Sequence, residues 1–321
     1  MALKNNGTDS SRIEEHLKLK KWLEETLGLS SLMLNRSIEV VVSGPHSKLW
    51  KITYNGSSMY FKKVPKQLFL EAEILKTLHG TCQVSNVPKV IAENKQLGCF
   101  LMTDCGDVNL KEYLKDGFQL DILSKSLQVY RSIQTSTVAH VDKFIALGVP
   151  DWRLDKVPSL YQNLISDNKL LDIIDLKKAE VLKLCQLSDK LNYLCEELAA
   201  YPALEGFSTC DLSDENIVYR KKDQRISIID FGDSAICHPF FFLLHSLCYI
   251  SARYSLKEKS KARTKLIEIY FNNWVESGED LDRMLNLALK IYPIYMIFPR
   301  LYLMRVKDPS FSEDSLEIIN K

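Results

Sequence analysis

The alternation of hydrophobic and polar residues predicts a small β-sheet near the start of the chain. Residues 38–42, 49–55 and 59–64 are short runs rich in β-branched and aromatic side chains, a composition typical of strands. Residues 43–47 and Gly-Ser-Ser at 56–58 separate them, and glycine and serine favour tight turns. The pattern therefore predicts three consecutive strands joined by turns.

Helical periodicity precedes and follows these strands. An apolar stripe predicts a helix over 12–27, with Ser10 or Ser11 as its N-cap and Gly28 as its end. A second helix is expected over 67–78.

Two further strands are predicted at 87–90 and 99–104, and residues 105–107 read as a connection between two lobes. Helical periodicity dominates afterwards, with Pro293 and Pro299 expected to end or kink one segment. The predicted helices cover residues 109–114, 121–146, 158–166, 174–200 and most of 239–321. The expected fold class is α+β, with a small antiparallel-sheet lobe (1–103), a mainly helical lobe (104–321) and the active site between them.

Composition and charge give no sign of a nucleic-acid or membrane partner. The chain has 321 residues, 46% of them hydrophobic, and a net charge of +1, which gives no reason to expect nucleic acid or a membrane surface. Its eight cysteines are scattered without metal-ligand spacing. The N-terminus lacks the apolar region of a signal peptide. The sequence also contains no uninterrupted run of eighteen apolar residues, the length needed to span a bilayer. These observations predict a cytoplasmic protein with buried, reduced thiols.

The strongest chemical signal lies at residues 205–234. Asp211 is followed five positions later by Asn216, and the residues after Asn216 predict a β-hairpin that ends at Asp230-Phe231-Gly232. Because a short hairpin brings its ends together, Asp211, Asn216 and Asp230 are expected to converge.

Two carboxylates and an amide in one small volume suit Mg²⁺-dependent phosphoryl transfer. Asp211 would orient the acceptor hydroxyl and take its proton. Asn216 and Asp230 would hold the Mg²⁺ that bridges the phosphates of ATP or GTP.

In these motifs the chain resembles the aminoglycoside phosphotransferase/choline kinase-like family, small-molecule kinases with a protein-kinase-like fold. That family carries His-Gly-Asp-x₄-Asn followed by a strand and Ile-Asp-Phe/Trp-Gly, and the resemblance extends over about residues 38–245. Thr209 and Cys210 stand where the family has His and Gly. The resemblance implies transfer of a γ-phosphate to a hydroxyl group of a small molecule.

The resemblance also implies residues that bind the nucleotide. Lys62 and Lys63 close the third strand, and only one of the two can point into the cleft and bind phosphates. The resemblance favours Lys62 for this position over Lys63. Glu71 is expected to pair with Lys62. Glu73 lies about 200° further around the helix and cannot face the same lysine.

Two segments would contact the rest of the nucleotide. Ser43 or Ser47, in the turn between the first two strands, could bind phosphates together with backbone amides, although a plain hairpin turn explains the same residues. The backbone near Met102 and Asp104 corresponds to the segment that holds adenine.

Evidence for the acceptor is thinner. Asp214, Glu215 and Asp233 flank the proposed cluster and would favour a cationic hydroxyl compound, but they could equally be solvated loop charges. Tyr292, Tyr295, Phe298 and Tyr302 could hold an ammonium group, although their helical spacing favours a place in the core.

Two other functions compete with a small-molecule kinase. The replacement of His-Gly by Thr209-Cys210 leaves room for a nucleotide-binding pseudokinase with a regulatory or scaffolding role. A kinase that phosphorylates proteins fits less well, because the chain lacks an activation segment ending in Ala-Pro-Glu.

Overall fold

The computed structural model describes residues 6–44, 47–65, 68–167, 178–201, 203–271 and 278–306. The chain divides into two compact units. The first comprises Met1–Lys76 and Pro88–Asp104, and the second comprises Thr77–Val87 and Cys105–Lys321. The lobe boundary predicted between residues 103 and 104 stays a prediction.

The first unit contains a five-stranded antiparallel sheet with the order β1-β2-β3-β5-β4. Its strands are β1 (Ile38–Ser43), β2 (Lys48–Tyr54), β3 (Ser57–Lys63), β4 (Val90–Asn94) and β5 (Cys99–Thr103). Asn55 and Gly56, with φ angles of 49° and 75°, turn β2 into β3, as a two-residue hairpin loop requires. The predicted small antiparallel sheet is confirmed, while Ser57 and Ser58, predicted as turn residues, belong to β3.

Leucines from helices α1 (Asn6–Leu27) and α2 (Ser31–Ser37) form the core with one face of this sheet. The rings of Trp22 and Trp50 lie 5.9 and 5.1 Å from the ring of Phe61, which is buried on β3. The buried members of the core are Leu19, Leu23, Leu29, Leu34, Ile52, Phe61, Cys99 and Leu101. The two helices therefore pack against β2 and β3 from one side of the sheet.

Three boundaries in this unit differ from the prediction. α1 begins at Asn6, so Ser10 and Ser11 lie inside it and neither is an N-cap. The polar residues 6–11 carry no apolar periodicity that could have revealed this extension. Helix α3 spans Leu70–Gly80, later than the predicted 67–78.

The predicted strand at 87–90 is wrong, since β4 begins only at Val90. Pro88 has no N–H to give to a strand ladder. Lys89 instead bonds to both the side chain and the backbone N–H of Thr103, at 3.0 Å each.

The second unit is mainly helical, as predicted. Its helices are α4 (Leu110–Tyr113), α5 (Leu120–Thr137), α6 (Val141–Leu147), α7 (Val157–Ile165), α8 (Lys178–Ala199), α9 (Phe240–Arg253), α10 (Lys261–Phe271), α11 (Gly278–Tyr295) and α12 (Ile297–Val306). The single helix predicted over 121–146 is wrong, because a 3₁₀ turn at Val138–His140 separates α5 from α6.

The two prolines of the C-terminal region have different positions. Pro293 lies inside α11 and does not end it. Pro299 lies in the first turn of α12, where backbone N–H groups have no partner within the helix. Within the part of the chain that the structure describes, no helix is both long and apolar enough to cross a membrane.

Two three-stranded sheets support the hairpin region. The predicted hairpin is present as β9 (Ile217–Arg220) and β10 (Arg225–Ile228), and β6 (Val108–Asn109) pairs with β9. The second sheet was not predicted. It has the order β7-β11-β8 and is formed by β7 (Asp151–Trp152), β8 (Gly206–Thr209) and β11 (Ser234–Cys237). β8 leads into Asp211 and β11 follows Asp230, so their antiparallel pairing fixes both ends of the region.

Candidate active site

Asp211 and Asn216 are joined at the two ends of the loop between β8 and β9. The Nδ2 group of Asn216 donates to the backbone carbonyl of Asp211 at 3.0 Å and to its Oδ2 at 2.9 Å. The backbone N–H of Asn216 also donates to the carbonyl of Ser213 at 3.1 Å. These bonds close the loop and fix the direction of the Asp211 carboxylate.

Asp230 is brought to the same place by the hairpin. The N–H of Ile229 donates to the carbonyl of Asn216 at 2.9 Å, so the returning chain is bonded directly to the end of the loop. Asp230 itself has a φ of 63°, a left-handed conformation that aspartate tolerates better than most residues. Asp211, Asn216 and Asp230 therefore lie together, as the spacing predicted.

Thr209 links the two acidic residues through one hydroxyl group. Its Oγ1 donates to the carbonyl of Asp230 at 3.3 Å and accepts the N–H of Asp211 at 3.4 Å, while the side chain is fully buried. Cys210 is also buried, donates its N–H to the carbonyl of Asp233 at 2.8 Å and does not adopt a positive φ. Neither position requires the His or Gly of the related motif in order to hold this geometry.

The surroundings of the Asp211 carboxylate raise its pKa. Asp211 is exposed on one side, but the surrounding protein removes part of its hydration, which raises its pKa above the ordinary value for aspartate, and the negative charge of Asp230 raises this pKa further. Hydrogen bonds from Ser213 and Asn216, together with the field of His245, act in the opposite direction. A raised pKa makes Asp211 a better proton acceptor.

The donor atoms suit a magnesium ion. Because Nδ2 of Asn216 is turned toward Asp211, its Oδ1 is directed elsewhere, and the Asp230 carboxylate lies beside the same loop. Among the described residues no group of three His, Cys, Asp or Glu could hold a metal. Mg²⁺ fits so small a set of protein ligands, since it keeps several waters and phosphate oxygens in its shell.

Lys62 and Glu71 form a buried ion pair in the first unit. Lys62 Nζ lies 2.6 Å from Glu71 Oε2, and the side chains are 9% and 1% exposed. Glu73 points elsewhere and pairs with Lys76 at 2.9 Å and with Lys95. The structure thus contains the expected Lys62–Glu71 pair and separates Glu73 from it.

The remaining nucleotide-binding candidates are less clearly defined. The N–H of Gly44 donates to the carbonyl of Ser47 at 2.9 Å, which closes the turn, but Pro45, His46 and the side chain of Ser43 lie outside the described residues. Met102 is buried on β5. Asp104 follows β5, and its carboxylate lies 3.3 Å from Lys51 Nζ. Because this ion pair occupies the side chain, the proposed contact with adenine falls to the backbone of Asp104.

Two acids beside the loop, Asp214 and Glu215, are held in ion pairs. Asp214 is buried and accepts from Arg253 Nε at 3.2 Å and from the hydroxyl of Tyr254 at 3.0 Å. Glu215 lies 2.6 Å from Lys111 Nζ and 3.5 Å from Arg253. The interpretation of Asp214 as a solvated charge is therefore wrong, and these ion pairs brace the loop that carries Asp211.

The aromatic residues of the C-terminal region divide into two groups. Tyr295 and Phe298 are buried, and the ring of Tyr295 stacks on Phe241 at 3.9 Å, which confirms their place in the core. Tyr292 is only half-buried, and its hydroxyl lies 3.2 Å from Nδ1 of His245. The side chain of Tyr302 lies outside the described part of the chain.

His245 was not predicted as a residue of the site. His245 lies on α9, and its charge lowers the pKa of Asp211. It stands within the run FFFLLHSLCYI, whose apolar composition is typical of a buried core helix. Only its polar character within that run could have drawn attention to it.

Solved structures of small-molecule phosphotransferases share this fold. A Plasmodium vivax ethanolamine kinase matches with a TM-score of 0.64 and 12% identity, over 90% of this chain and 83% of that one. The GDP complex of an aminoglycoside 2'-phosphotransferase matches with a TM-score of 0.54 and 18% identity, over 88% and 91%. A macrolide 2'-phosphotransferase from Brachybacterium faecium matches with a TM-score of 0.55 and 11% identity, over 87% and 93%.

At these identities the likeness establishes the fold. It confirms the α+β, protein-kinase-like architecture and the structural resemblance to this group of proteins. No protein-family profile matches the chain, and no curated protein sequence matches it.

Proposed function

We propose that the protein is a small-molecule kinase that transfers the γ-phosphate of ATP or GTP to a hydroxyl group. The observation that carries the proposal is the arrangement of Asp211, Asn216 and Asp230 around one closed loop. The likeness to kinases that act on amino alcohols and antibiotics supports it.

Asp211 acts as the base in this reaction. Its carboxylate accepts the proton of the acceptor hydroxyl while the acceptor oxygen forms a bond to the γ-phosphorus. The bond between that phosphorus and the β,γ-bridging oxygen breaks, and the nucleoside diphosphate leaves. Asn216 and Asp230 would hold Mg²⁺, which when bound would supply neutralisation of the charge on the phosphates.

Lys62 supplies the phosphate contact of the first unit, and Glu71 holds its ammonium group in place. Ser43, Ser47 and the backbone at Met102 and Asp104 belong to the same nucleotide-binding proposal. Most of the cysteines are buried thiols, which suits the cytoplasm, where nucleoside triphosphates are available.

The test compares the wild-type protein with the Asp211→Asn variant. Asparagine keeps the size of the side chain but cannot accept the proton, so phosphotransfer should fall by about 10²–10⁴-fold, while MgATP or MgGTP affinity, measured by calorimetry, should change little. Acceptor-stimulated release of diphosphate is the activity readout. Nucleotide binding without acceptor-dependent turnover in the wild type would favour the pseudokinase instead.

A further inference from the structure

We infer that the second unit carries a binding site for a small anionic polyol, a compound with several hydroxyl groups and one phosphate or carboxylate group. The site is a groove between helix α5 and the segment 83–86. None of its lining residues belongs to the candidate active site. The inference therefore goes beyond the proposed function and does not depend on it.

The groove has the size and lining of a small-molecule site. Its volume is about 410 Å³, within the range of pockets that hold small ligands. The buried side chains of Val84 and Ile133 form its inner surface. The other lining residues are Val129, Gln83, Ser85, Asn86, Lys125, Gln128, Ser132 and Ser136. This set contains amides, hydroxyl groups and one lysine but no carboxylate, so the groove favours an anion over a cation.

The wall formed by α5 presents a row of polar side chains. Residues 125, 128, 132 and 136 recur every three or four positions, which places them on one face of the helix. The hydroxyl of Ser136 donates to the backbone carbonyl of Ser132 at 2.9 Å. Among the described residues, the side chains of Gln128 and Ser132 have no hydrogen-bond partner and are exposed. They can therefore bond to the hydroxyl groups of a ligand.

Two cations are held at one end of this row. Lys125 Nζ donates to the backbone carbonyl of Gln224 at 2.8 Å, and the guanidinium group of the next residue, Arg225, donates to the carbonyl of Ser85. Within the part of the chain that the structure describes, neither cation has a carboxylate within ion-pair distance. Their remaining N–H groups are suited to a phosphate or a carboxylate.

The opposite wall is fixed by the protein itself. The Nδ2 group of Asn86 donates to the carbonyl of Ile226 at 2.6 Å, and the N–H of Ile228 donates to the carbonyl of Asn86 at 2.9 Å. The N–H of Val84 donates to the carbonyl of Leu78 at 2.9 Å. Because both walls are already in place, little conformational freedom has to be lost when a ligand binds.

Four linear six-carbon polyols of matched shape test the charge of the ligand. They are N-methylglucamine, sorbitol, gluconate and sorbitol 6-phosphate, and their charge runs from positive to negative. Carbon-13 NMR of the methyl groups of Val84 and Ile133 in the full chain reports binding in the groove. We expect saturable shifts at about millimolar concentration with one of the two anions, which together distinguish carboxylate from phosphate. Sorbitol and N-methylglucamine should bind at least about tenfold more weakly.

Two variants test the two halves of the site. Lys125→Gln should weaken binding of the preferred anion by about tenfold and leave sorbitol nearly unchanged. Ser132→Ala should weaken both compounds several-fold. Lys190→Gln is the matched control, because this exposed lysine lies on α8, outside the groove, and it should change nothing.

Further comparisons separate the groove from the active site. Asp211→Asn should bind the anion as the wild type does, and a loss of binding in this variant would place the ligand in the active site and overturn the inference. Equal affinity for all four polyols, a preference for N-methylglucamine, or an unaltered affinity in Lys125→Gln also overturns it. Inorganic phosphate that binds as tightly as sorbitol 6-phosphate would contradict a role for the hydroxyl groups. Because no turnover is measured, failure of the proposed kinase activity would leave these outcomes unaffected.

Discussion

The hydroxyl of Thr209 lies 3.3 Å from the backbone carbonyl of Asp230 and donates a hydrogen bond to it, while accepting the N–H of Asp211. A side chain of three heavy atoms therefore connects the proposed base to the proposed metal ligand. A histidine is not needed for this connection, because both partners are backbone groups.

Removal of this hydroxyl should impair the site more than the fold. Thr209→Val keeps the shape of the side chain but removes the hydroxyl that bonds to both backbone groups, and a buried polar group that loses its hydrogen bond costs about 1–3 kcal/mol. We expect a loss of kcat of about tenfold with a smaller change in nucleotide affinity. Thr209→Ser, which keeps the hydroxyl, should retain most of the activity, and equal rates for the two variants would show that the hydroxyl has no role.

Loss of Lys62 should leave a buried negative charge at Glu71. Breaking a buried ion pair from one side costs about 3–5 kcal/mol, so Lys62→Met should lower both stability in urea and nucleotide affinity. The double variant Lys62→Met/Glu71→Leu should recover much of the stability but none of the affinity.

Lys63→Met is the control for this pair. Lys63 lies next to Lys62 on β3, so its side chain projects from the opposite face of the sheet, and its replacement should have a mild effect on affinity. If Lys63→Met abolishes nucleotide binding while Lys62→Met does not, the assignment moves by one residue.

The pKa of Asp211 should respond to its two charged neighbours in opposite directions. Because the negative charge of Asp230 raises this pKa and the field of His245 lowers it, Asp230→Asn should decrease the pKa and His245→Gln should increase it. Carbon-13 NMR titration of the nucleotide-free protein measures both shifts directly. In the wild type, activity should fall with decreasing pH at a higher pH than an ordinary aspartate would give, since the base must be unprotonated. Shifts of the same sign in both variants would contradict this electrostatic account.

The ion pair of Arg253 should matter for the rate through the position of the loop. Among the described residues, Arg253→Gln leaves the buried Asp214 carboxylate with the hydroxyl of Tyr254 as its side-chain partner, so the loop should loosen and kcat should fall more than nucleotide affinity. Arg253→Gln combined with Asp214→Asn removes the uncompensated charge and should restore part of kcat. A rate unchanged by Arg253→Gln would limit these contacts to stability.

His238 should make the second unit sensitive to acid. It is buried, no described residue offers a hydrogen-bond partner to its Nε2, and burial lowers its pKa to about 3. The unfolded chain takes up the proton near pH 6.5, so stability is complete above that pH and is lost as the pH falls toward 3, by about 1.4 kcal/mol per pH unit from this group. His238→Phe should flatten the dependence of the urea midpoint on pH between 6 and 4, and an unaltered slope would assign the acid sensitivity to other groups.

The parts of the site that depend on local spacing could be predicted from the sequence. Asn216, the hairpin and Asp230 follow one another along the chain, and a short turn leaves little freedom in where they meet. The ion pair of Asp214 could not be predicted from local spacing, because its partner Arg253 lies on α9, thirty-nine residues later. The sheet of β7, β8 and β11 was missed for a similar reason, since its pairings join short segments that have no strong pattern of their own.

The bonds from Ile229 to Asn216, from Asn216 to Asp211, and from Thr209 to both acids form a closed ring. In a closed ring no member can be displaced without stretching a bond to the next. The thermal motions of the three functional residues should therefore be correlated. The distances between them should fluctuate less than the position of each residue does. A loop on the surface of the second unit can in this way keep the spacing that phosphoryl transfer demands without being buried as a whole.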